Sequence, residues 1–193
     1  MKDILIAVRV ALVTLVLTGI LYPFAVTGVA KALFPHKANG SMITGEKGEM
    51  IGSELIGQSF TKPSYFQPRP SAAGNGYDAQ SSGGSNLGPS SVKLKERIKM
   101  ETERLQKENP DAAGSVPMEL VTASASGLDP HISPEAALWQ IPRIATSRKA
   151  APEHIRKIVE NVTEGRDLGL FGEPRVNVLL VNVALDRQFG KAL

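Results

Sequence analysis

The most prominent feature of the chain is an uncharged run near its N-terminus. From Val10 to Ala30 there are 21 consecutive residues without Asp, Glu, Lys or Arg. A helix of this length spans roughly 31 Å, which matches the hydrocarbon core of a bilayer. The run therefore predicts one membrane-spanning helix, and Pro23 predicts a kink because its ring would press on the Gly19 carbonyl.

A cleaved signal peptide is the alternative for this segment, since Ala30-Lys31-Ala32 has the form of a cleavage site. The apolar region of a signal peptide runs about 7–15 residues, so the longer run favours a permanent anchor. No ionisable residue lies at mid-depth, which argues against an ion path within this helix alone. Basic residues flank both ends, so charge does not orient the span; they are Lys2, Arg9, Lys31, Lys37 and Lys47.

Beyond the span, short periodic segments alternate with polar loops. Residues 35–50 are typical of a juxtamembrane linker, and Ser53–Gly57 is a candidate strand. Residues 61–90 are rich in Pro, Ser, Gly and Asn and predict a long loop. The aromatic residues within it indicate that the loop is ordered. Loops of this length in compact domains are usually functional or disordered.

Three helices and two further strands are expected in the same region. The first helix runs over residues 91–109. The second begins at Pro134, with Ser133 as its N-cap, and is expected to bend or restart at Pro142. The third begins at Pro152 and ends at Gly165. Ser at the N-cap and Pro at the first helical position are typical helix starts. The strands are Leu120–Ala123 and the alternating, Val-rich Arg175–Leu185.

These elements predict an α+β fold, a small mixed soluble domain anchored by one N-terminal transmembrane helix. We expect a tail and span over residues 1–34, a juxtamembrane linker over 35–50, and an extracytoplasmic α+β domain over 51–193. A short N-terminal tail before a large cysteine-free domain is compatible with export of that domain.

Composition narrows the function classes. The net charge is +3, from 22 basic and 19 acidic residues, which is too weak for a nucleic-acid binder. The absence of cysteine excludes disulfides, thiol nucleophiles and iron–sulfur ligation. The three histidines, His36, His131 and His154, form no His-x-x-x-His pair, so no metal site is expected.

Two short motifs admit both a functional and a structural interpretation. Ser90–Lys93 fits S-x-x-K, as in a serine acyl-transferase, or it is a capped helix start; the partner motifs of such an enzyme are missing. In Ser81–Pro89, consecutive glycines either form an anion-binding nest or serve positive-φ turns of a tight loop packed on the domain. The packed loop is the favoured alternative.

A third motif concentrates polar residues just before a helix. Ser126, Asp129, His131 and Ser133 are the residue types of a catalytic triad, but triad members usually converge from distant segments. An Asx/Ser turn leading into the N-cap is the favoured interpretation.

At several of these strings the sequence resembles one family over nearly the whole chain. The strings are GSELIGQSF (52–60), YF (65–66), RPSA (69–72), SGGSNLGP (82–89), VTASASGLDP (121–130), QIPR (140–143) and the terminal Asn177, Asn182 and Leu185-Asp186. They resemble the C subunit of the Kdp potassium-transporting P-type ATPase of bacteria.

The resemblance implies a non-catalytic accessory subunit of a high-affinity, ATP-driven potassium uptake complex in the bacterial inner membrane. The implied partners are a channel-like potassium-translocating subunit, the P-type ATPase catalytic subunit, a small single-span peptide and the lipid bilayer, with no nucleic acid. It implies a need for this subunit in assembly and a role as a catalytic chaperone that raises the ATP affinity of the ATPase subunit. ATP is then used by the complex and potassium is carried by the partners, with no cofactor held by this chain. The chain itself lacks the D-K-T-G phosphorylation motif.

The nucleotide role that the resemblance implies makes Gly83, Gly84, Ser85, Asn86 and Gln140 the nucleotide candidates. The concentration of polar turn residues beside a capped helix makes Arg69, Ser126, Asp129 and His131 the candidates that face the channel-like subunit. An extracytoplasmic domain cannot touch cytoplasmic nucleotide, so an effect on ATP affinity implies reversed orientation or coupling through the span and partners. The alternatives are a membrane-anchored exported serine hydrolase and a small-ligand binding module.

Overall fold

The uncharged run forms a continuous helical stretch. Helix α1 (Lys2–Val16), a π-helical turn (Leu17–Leu21) and helix α2 (Tyr22–Leu33) follow one another directly. Together they make 32 residues, the one helix among the described residues that is long and apolar enough to cross a membrane. The Thr14 and Thr18 hydroxyls donate to carbonyls four residues back, so neither needs water as an acceptor.

The structure is a computed structural model that describes residues 1–45 and 48–191. The chain divides into two compact units, Met1–Ser53 and Glu54–Leu193. Lys47, one of the flanking cations, and residues 192–193 of the expected domain lie outside the described residues. The expected mixture of helices and small sheets, with one N-terminal helix of spanning length, is confirmed.

The π-helical turn ends at Leu21, two residues before Pro23. Proline has no N–H to donate to the Gly19 carbonyl, and the Tyr22 N–H bonds to the Leu17 carbonyl, five residues back. Such a widened turn accommodates an interruption of the hydrogen-bond ladder without ending the helix. The helical stretch therefore continues through Pro23 without a break.

The segment after the span contains more structure than a linker. It forms helix α3 (Pro35–Ala38) and an antiparallel pair of strands, β1 (Met42–Thr44) and β2 (Met50–Ser53). The expected strand over Ser53–Gly57 is wrong, because β2 ends at Ser53 and a turn follows. The Ser53 hydroxyl donates to the Gly40 carbonyl at 2.7 Å and so ties the end of β2 to the start of the hairpin.

The C-terminal unit begins with the long loop. Residues 54–91, all described, form neither helix nor strand, and helix α4 (Val92–Glu108) follows. The Ser91 hydroxyl accepts the Leu94 N–H and caps α4. The loop and the helix over residues 91–109 are therefore confirmed.

A small antiparallel sheet orders the rest of the unit. Its strands β3 (His131–Ile132), β4 (Thr163–Glu164) and β5 (Arg175–Asn177) lie in the order β3-β5-β4. The expected strand over Leu120–Ala123 is wrong, since Met118–Leu120 forms a 3₁₀ turn.

The expected strand Arg175–Leu185 is correct only for its first three residues. Helix α7 (Val178–Phe189) takes over where the Asn177 side-chain oxygen accepts the Leu180 N–H as an N-cap. Val178 and Val181 of this helix are buried in the core, and burial outweighs intrinsic β-propensity.

Helix α5 (Pro134–Arg148) begins at the expected Ser133 cap, and it continues through Pro142 without the restart that was one of the two alternatives there. The Asn109 side chain bridges the opened turn: its amide donates to the Trp139 carbonyl at 2.6 Å and its oxygen accepts the Arg143 N–H at 2.9 Å.

Helix α6 (Pro152–Val162) ends before Gly165, because the chain enters β4 at Thr163. The core collects aliphatic side chains of α5, α6, α7 and the sheet around the fully buried Phe66 of the long loop.

Candidate functional site

A stretch of the long loop, Pro63–Gln67, is held by side chains on all five of its carbonyl groups. We call it the pinned segment. The donors are Arg143 to Pro63 and Tyr65, Arg148 to Ser64, Asn182 to Phe66 and Gln140 to Gln67, at 2.6–3.1 Å. Helices α5 and α7 therefore position this loop through their side chains.

Two of these contacts are reciprocal amide pairs. The Phe66 N–H donates to the Asn182 side-chain oxygen at 2.8 Å, and the Asn182 amide donates back to the Phe66 carbonyl at 3.0 Å. Gln140 makes the same pair with Gln67, at 2.8 and 3.1 Å. The two side chains thus satisfy backbone groups that a neighbouring strand would otherwise satisfy.

Arg143 is a buried cation bonded to neutral acceptors. Its guanidinium contacts two carbonyls of the pinned segment and the Gln140 side-chain oxygen at 2.9 Å. Burial lowers its pKa to about 10, with the Glu108 charge acting in the opposite direction. It remains protonated at neutral pH and acts as a structural cross-link.

A second link joins α5, α7 and the pinned segment. Arg148 pairs with Asp186 at 2.8 Å and lies over the Tyr65 ring at 4.9 Å. The Tyr65 hydroxyl donates to the other Asp186 oxygen at 2.9 Å.

The second polar feature is the turn surface, which we define as residues 124–131 together with Arg69, Gly83 and Gly84 of the long loop. Three side chains each accept an N–H from a nearby residue: Ser124 from Gly127, Ser126 from Leu128, and Asp129 from His131. The favoured Asx/Ser-turn interpretation of this string is therefore confirmed.

Asp129 lies between two basic side chains. Its carboxylate is 3.2 Å from the Arg69 guanidinium and 3.7 Å from His131 Nδ1. Burial by itself would raise the pKa of Asp129, but hydrogen bonds from His131 and the charge of Arg69 outweigh burial and lower it. The carboxylate is consequently ionised over the physiological range.

The glycine-rich string packs against the same turn. The Gly83 N–H donates to the Ser126 carbonyl at 2.9 Å. A Cβ at Gly84 would lie 2.9 Å from the Ala125 carbonyl oxygen, and one at Gly127 would lie 2.7 Å from the Gly83 oxygen. Close backbone approach accounts for Gly84 and Gly127, and the loop packs on the domain as the packed-loop alternative expects. The expected positive-φ turns are wrong for the glycines of this string, because Gly83, Gly84 and Gly88 all have ordinary negative or extended φ.

The structure therefore brings together most of the residues singled out from the sequence. Gly83 and Gly84 contact the turn that carries Ser126, while Arg69 and His131 contact Asp129. Gln140 lies elsewhere, fully buried with its amide bonded to Gln67. Ser85 and Asn86 follow the glycines, and Asn86 has a left-handed backbone with φ of 50°. Nucleotide contact by these five candidates stays a prediction.

A cleft of about 420 Å³ lies between the long loop and α4. Its lining cation, Arg104, is paired with Glu101 at 2.8 Å and Glu108 at 2.7 Å. The Tyr77 hydroxyl at its edge donates to the Arg69 carbonyl, and burial together with the Glu101 charge raises the pKa of Tyr77 to about 12. The residues lining the cleft thus leave no unpaired cation for an anionic ligand.

The structure adds no support for the serine-enzyme interpretation of Ser90–Lys93 or for a metal site among the described residues. Ser90 is an exposed residue of the turn before α4, and the adjacent Ser91 provides the helix cap. Among the residues that the structure describes, no three His, Asp or Glu side chains gather as a metal site would require.

Sequence reasoning missed Asn109 and Arg148 as organising residues. Asn109 was interpreted only as the end of a helix. Asn182 entered only through the resemblance, although an amide within the apolar run Val178–Leu185 is itself a signal, because a buried polar group needs partners.

Comparison with known proteins identifies the family. A family model described as "KdpC: K+-transporting ATPase, c chain" matches residues 4–187. The chain belongs to the KdpC family. The resemblance drawn from the sequence is thereby confirmed.

Curated KdpC relatives match along almost their full length. The "Potassium-transporting ATPase KdpC subunit" of Myxococcus xanthus is 62% identical over 186 residues, covering 96% of this chain and 88% of the relative. The protein of the same name from Koribacter versatilis is 49% identical, with 96% and 94% covered. That of Rhodopseudomonas palustris is 50% identical, with 96% and 97% covered. The chain is thus a subunit of a potassium-transporting ATPase by family.

Proposed function

We propose that this chain is the non-catalytic accessory subunit of an ATP-driven potassium uptake complex, needed for assembly of its channel-like and P-type ATPase subunits. The observation that carries the proposal is the family match over residues 4–187, which includes both the apolar helix and the C-terminal unit. The chain lacks a D-K-T-G phosphorylation motif and has no ionisable residue in the middle of its span, so both energy coupling and ion conduction fall to partners.

The proposal includes location and partners. The helix Lys2–Leu33 crosses the bacterial inner membrane once, and the C-terminal domain lies outside the cytoplasm beside the channel-like subunit. A small single-span peptide completes the complex. The length and composition of the helix support a single crossing, and the absence of cysteine is compatible with export of the domain.

Within the complex, the turn surface is proposed to face the channel-like subunit. Its support is the grouping of Arg69, Ser126, Asp129 and His131 beside a capped helix. The effect on ATP affinity is proposed to pass through the partners' conformation, because the Gly83 N–H and the Gln140 amide are already bonded within the domain.

Mild-detergent purification of the tagged full chain from its native membrane tests the assembly role. We expect a channel-like subunit and a P-type ATPase to co-purify, with potassium-stimulated ATP hydrolysis. Asp129→Ala should reduce both readouts. Intact assembly and activity in that variant would remove the turn surface from the proposal, whereas a wild-type chain that emerges alone would contradict the accessory role itself.

Thermal unfolding of the purified full chain with and without ATP tests direct nucleotide contact. We expect no shift of the midpoint. A stabilisation that disappears in Asn86→Gly, which preserves the left-handed backbone, would instead support nucleotide contact at the glycine-rich string.

A further inference from the structure

The loop between β4 and β5 presents three large apolar side chains to solvent. Leu168, Leu170 and Phe171 are 90%, 77% and 65% exposed, and we call them the apolar tip. Single exposed leucines are ordinary, but three large apolar residues within four positions form a patch typical of an interaction site. We propose that the apolar tip docks into an apolar recess with a basic rim on another subunit of the transporter. This inference rests on the proposed accessory function.

The tip is held in a defined shape. Asp167 and Phe171 exchange two backbone hydrogen bonds at 2.8 and 3.0 Å. At its base, Arg166 contacts both carboxylate oxygens of Glu173 at 2.8 and 3.0 Å. A side chain presented by an ordered turn loses little conformational freedom on binding, which favours docking.

The backbone at the tip is strained for the residue that it carries. Leu168 has a left-handed φ of +54°, a conformation in which leucine is rare and asparagine or glycine is common. Its side chain extends into solvent and gains nothing from the fold. A strained and exposed apolar residue is therefore expected where the side chain is used by something outside the chain.

The charges around the tip select the kind of partner. Residues 164–175 carry three carboxylates and two guanidinium groups. The carboxylates of Asp167 and Glu173 are more exposed than the Arg175 and Arg166 groups that they face. Anionic bilayer surfaces attract basic segments and repel this one, whereas a protein recess with a basic rim is complementary.

Single-cysteine labelling tests the proposal, because the native chain has no cysteine. Leu170→Cys would report on the tip, and Met118→Cys, an exposed apolar position on the 3₁₀ turn, is the matched control. Reaction with a water-soluble maleimide is followed in the purified complex and in the full chain alone in lipid nanodiscs, which leave both bilayer faces open. We expect reaction at residue 170 to slow roughly tenfold in the complex only.

Each other labelling outcome overturns the docking proposal. An equal rate at residue 170 in the complex and in the chain alone leaves the tip free of any partner. Slowing in nanodiscs without partner subunits assigns the tip to lipid. If the wild-type complex is recovered but its tip is unprotected, the docking proposal fails and the accessory function stands. If the wild-type chain recovers no partner subunit, the docking proposal and the accessory function both fail.

A second variant tests whether the tip contributes to binding. Leu168→Asn, Leu170→Ser and Phe171→Ser combined remove the apolar side chains, and asparagine suits the left-handed position. We expect roughly tenfold less recovery of partner subunits at an unchanged unfolding midpoint. The control, Met100→Gln with Met118→Gln, removes exposed apolar surface elsewhere and should recover the complex normally. Normal recovery in the triple variant would overturn the proposal.

Discussion

At the scale of single residues, the pinned segment depends on side chains that replace a strand. Asn182 holds both backbone groups of Phe66, and Gln140 holds both of Gln67. Both amides are buried. Removing one such amide leaves a buried N–H and a buried carbonyl unsatisfied, and this desolvation costs more than an average hydrogen bond contributes.

Asn182→Leu should therefore lower the free energy of unfolding by about 2–4 kcal/mol, since it preserves volume and orphans both backbone groups of Phe66. Urea unfolding of the full chain in mild detergent measures the change. Asn161→Leu, at an exposed position of α6, is the control and should change stability by less than about 0.5 kcal/mol. Equal effects of the two substitutions would show that the amide pair contributes nothing.

The charge of Asp129 gives a dependence on pH. A carboxyl whose pKa is lowered on folding stabilises the fold above its unfolded pKa of about 3.9, and this contribution is lost as the pH falls through the folded pKa. Asp129→Asn retains the turn acceptor but removes the charge. We expect the variant to be about 1 kcal/mol or less below wild type at pH 7, with the difference shrinking once the pH falls below the unfolded pKa and through the lowered folded pKa. A difference that does not shrink in this acid range would contradict the assignment.

At the scale of elements, α5 continues through Pro142 because Asn109 is inserted into its hydrogen-bond ladder. Proline cannot donate, and its ring forces apart the turn in which the Arg143 N–H would meet the Trp139 carbonyl. Asn109 takes both orphaned groups. The end of α4 is thereby attached to the middle of α5.

This arrangement predicts coupling between two substitutions. Asn109→Ala should lower the free energy of unfolding by about 2–3 kcal/mol in the wild-type background. In a Pro142→Ala background the helix can close its own ladder, so the same change should cost at least about 1 kcal/mol less. Additive effects in the double-mutant cycle would separate Asn109 from Pro142.

The contact between the glycine-rich string and the turn surface predicts a ranking of alanine substitutions. Gly127→Ala combines a φ of +68° with a Cβ placed 2.7 Å from backbone atoms, and should cost more than about 2 kcal/mol. Gly84→Ala should cost less than that, and Gly88→Ala, which meets nothing within 4 Å, should be nearly neutral. Thermal unfolding of the three variants checks the order, and a destabilised Gly88→Ala with a neutral Gly127→Ala would refute it.

Elements with a strong local signal were predictable from the sequence. The uncharged run predicts the long apolar helix, and the Ser91 and Ser133 caps mark the starts of α4 and α5. The segment Arg175–Leu185 was not, because its valines fit a strand locally while the Asn177 cap and burial in the core select a helix. The uninterrupted course of α5 through Pro142 was not predictable either, because the side chain that bonds the neighbouring backbone groups, Asn109, is distant in sequence.

At the scale of the whole chain, one part of the candidate site could be predicted from the sequence and the other could not. The turn around Asp129 was recognisable because its bonds are local. The pinned segment was not, because its carbonyl groups bond to side chains 73 to 116 positions away. The family strings nevertheless converge there, since Tyr65, Gln140, Arg143 and Asn182 belong to one network.

The claim that this KdpC-family chain is an accessory subunit is tested most directly by removing it from the complex. Potassium-stimulated ATP hydrolysis is measured in detergent-solubilised, purified transporter from cells that lack the chain and from cells in which it is restored. We expect that without the chain the channel-like and ATPase subunits do not co-purify and stimulated hydrolysis is lost, and that restoring the chain returns both. A stable, potassium-stimulated transporter assembled without the chain would contradict it.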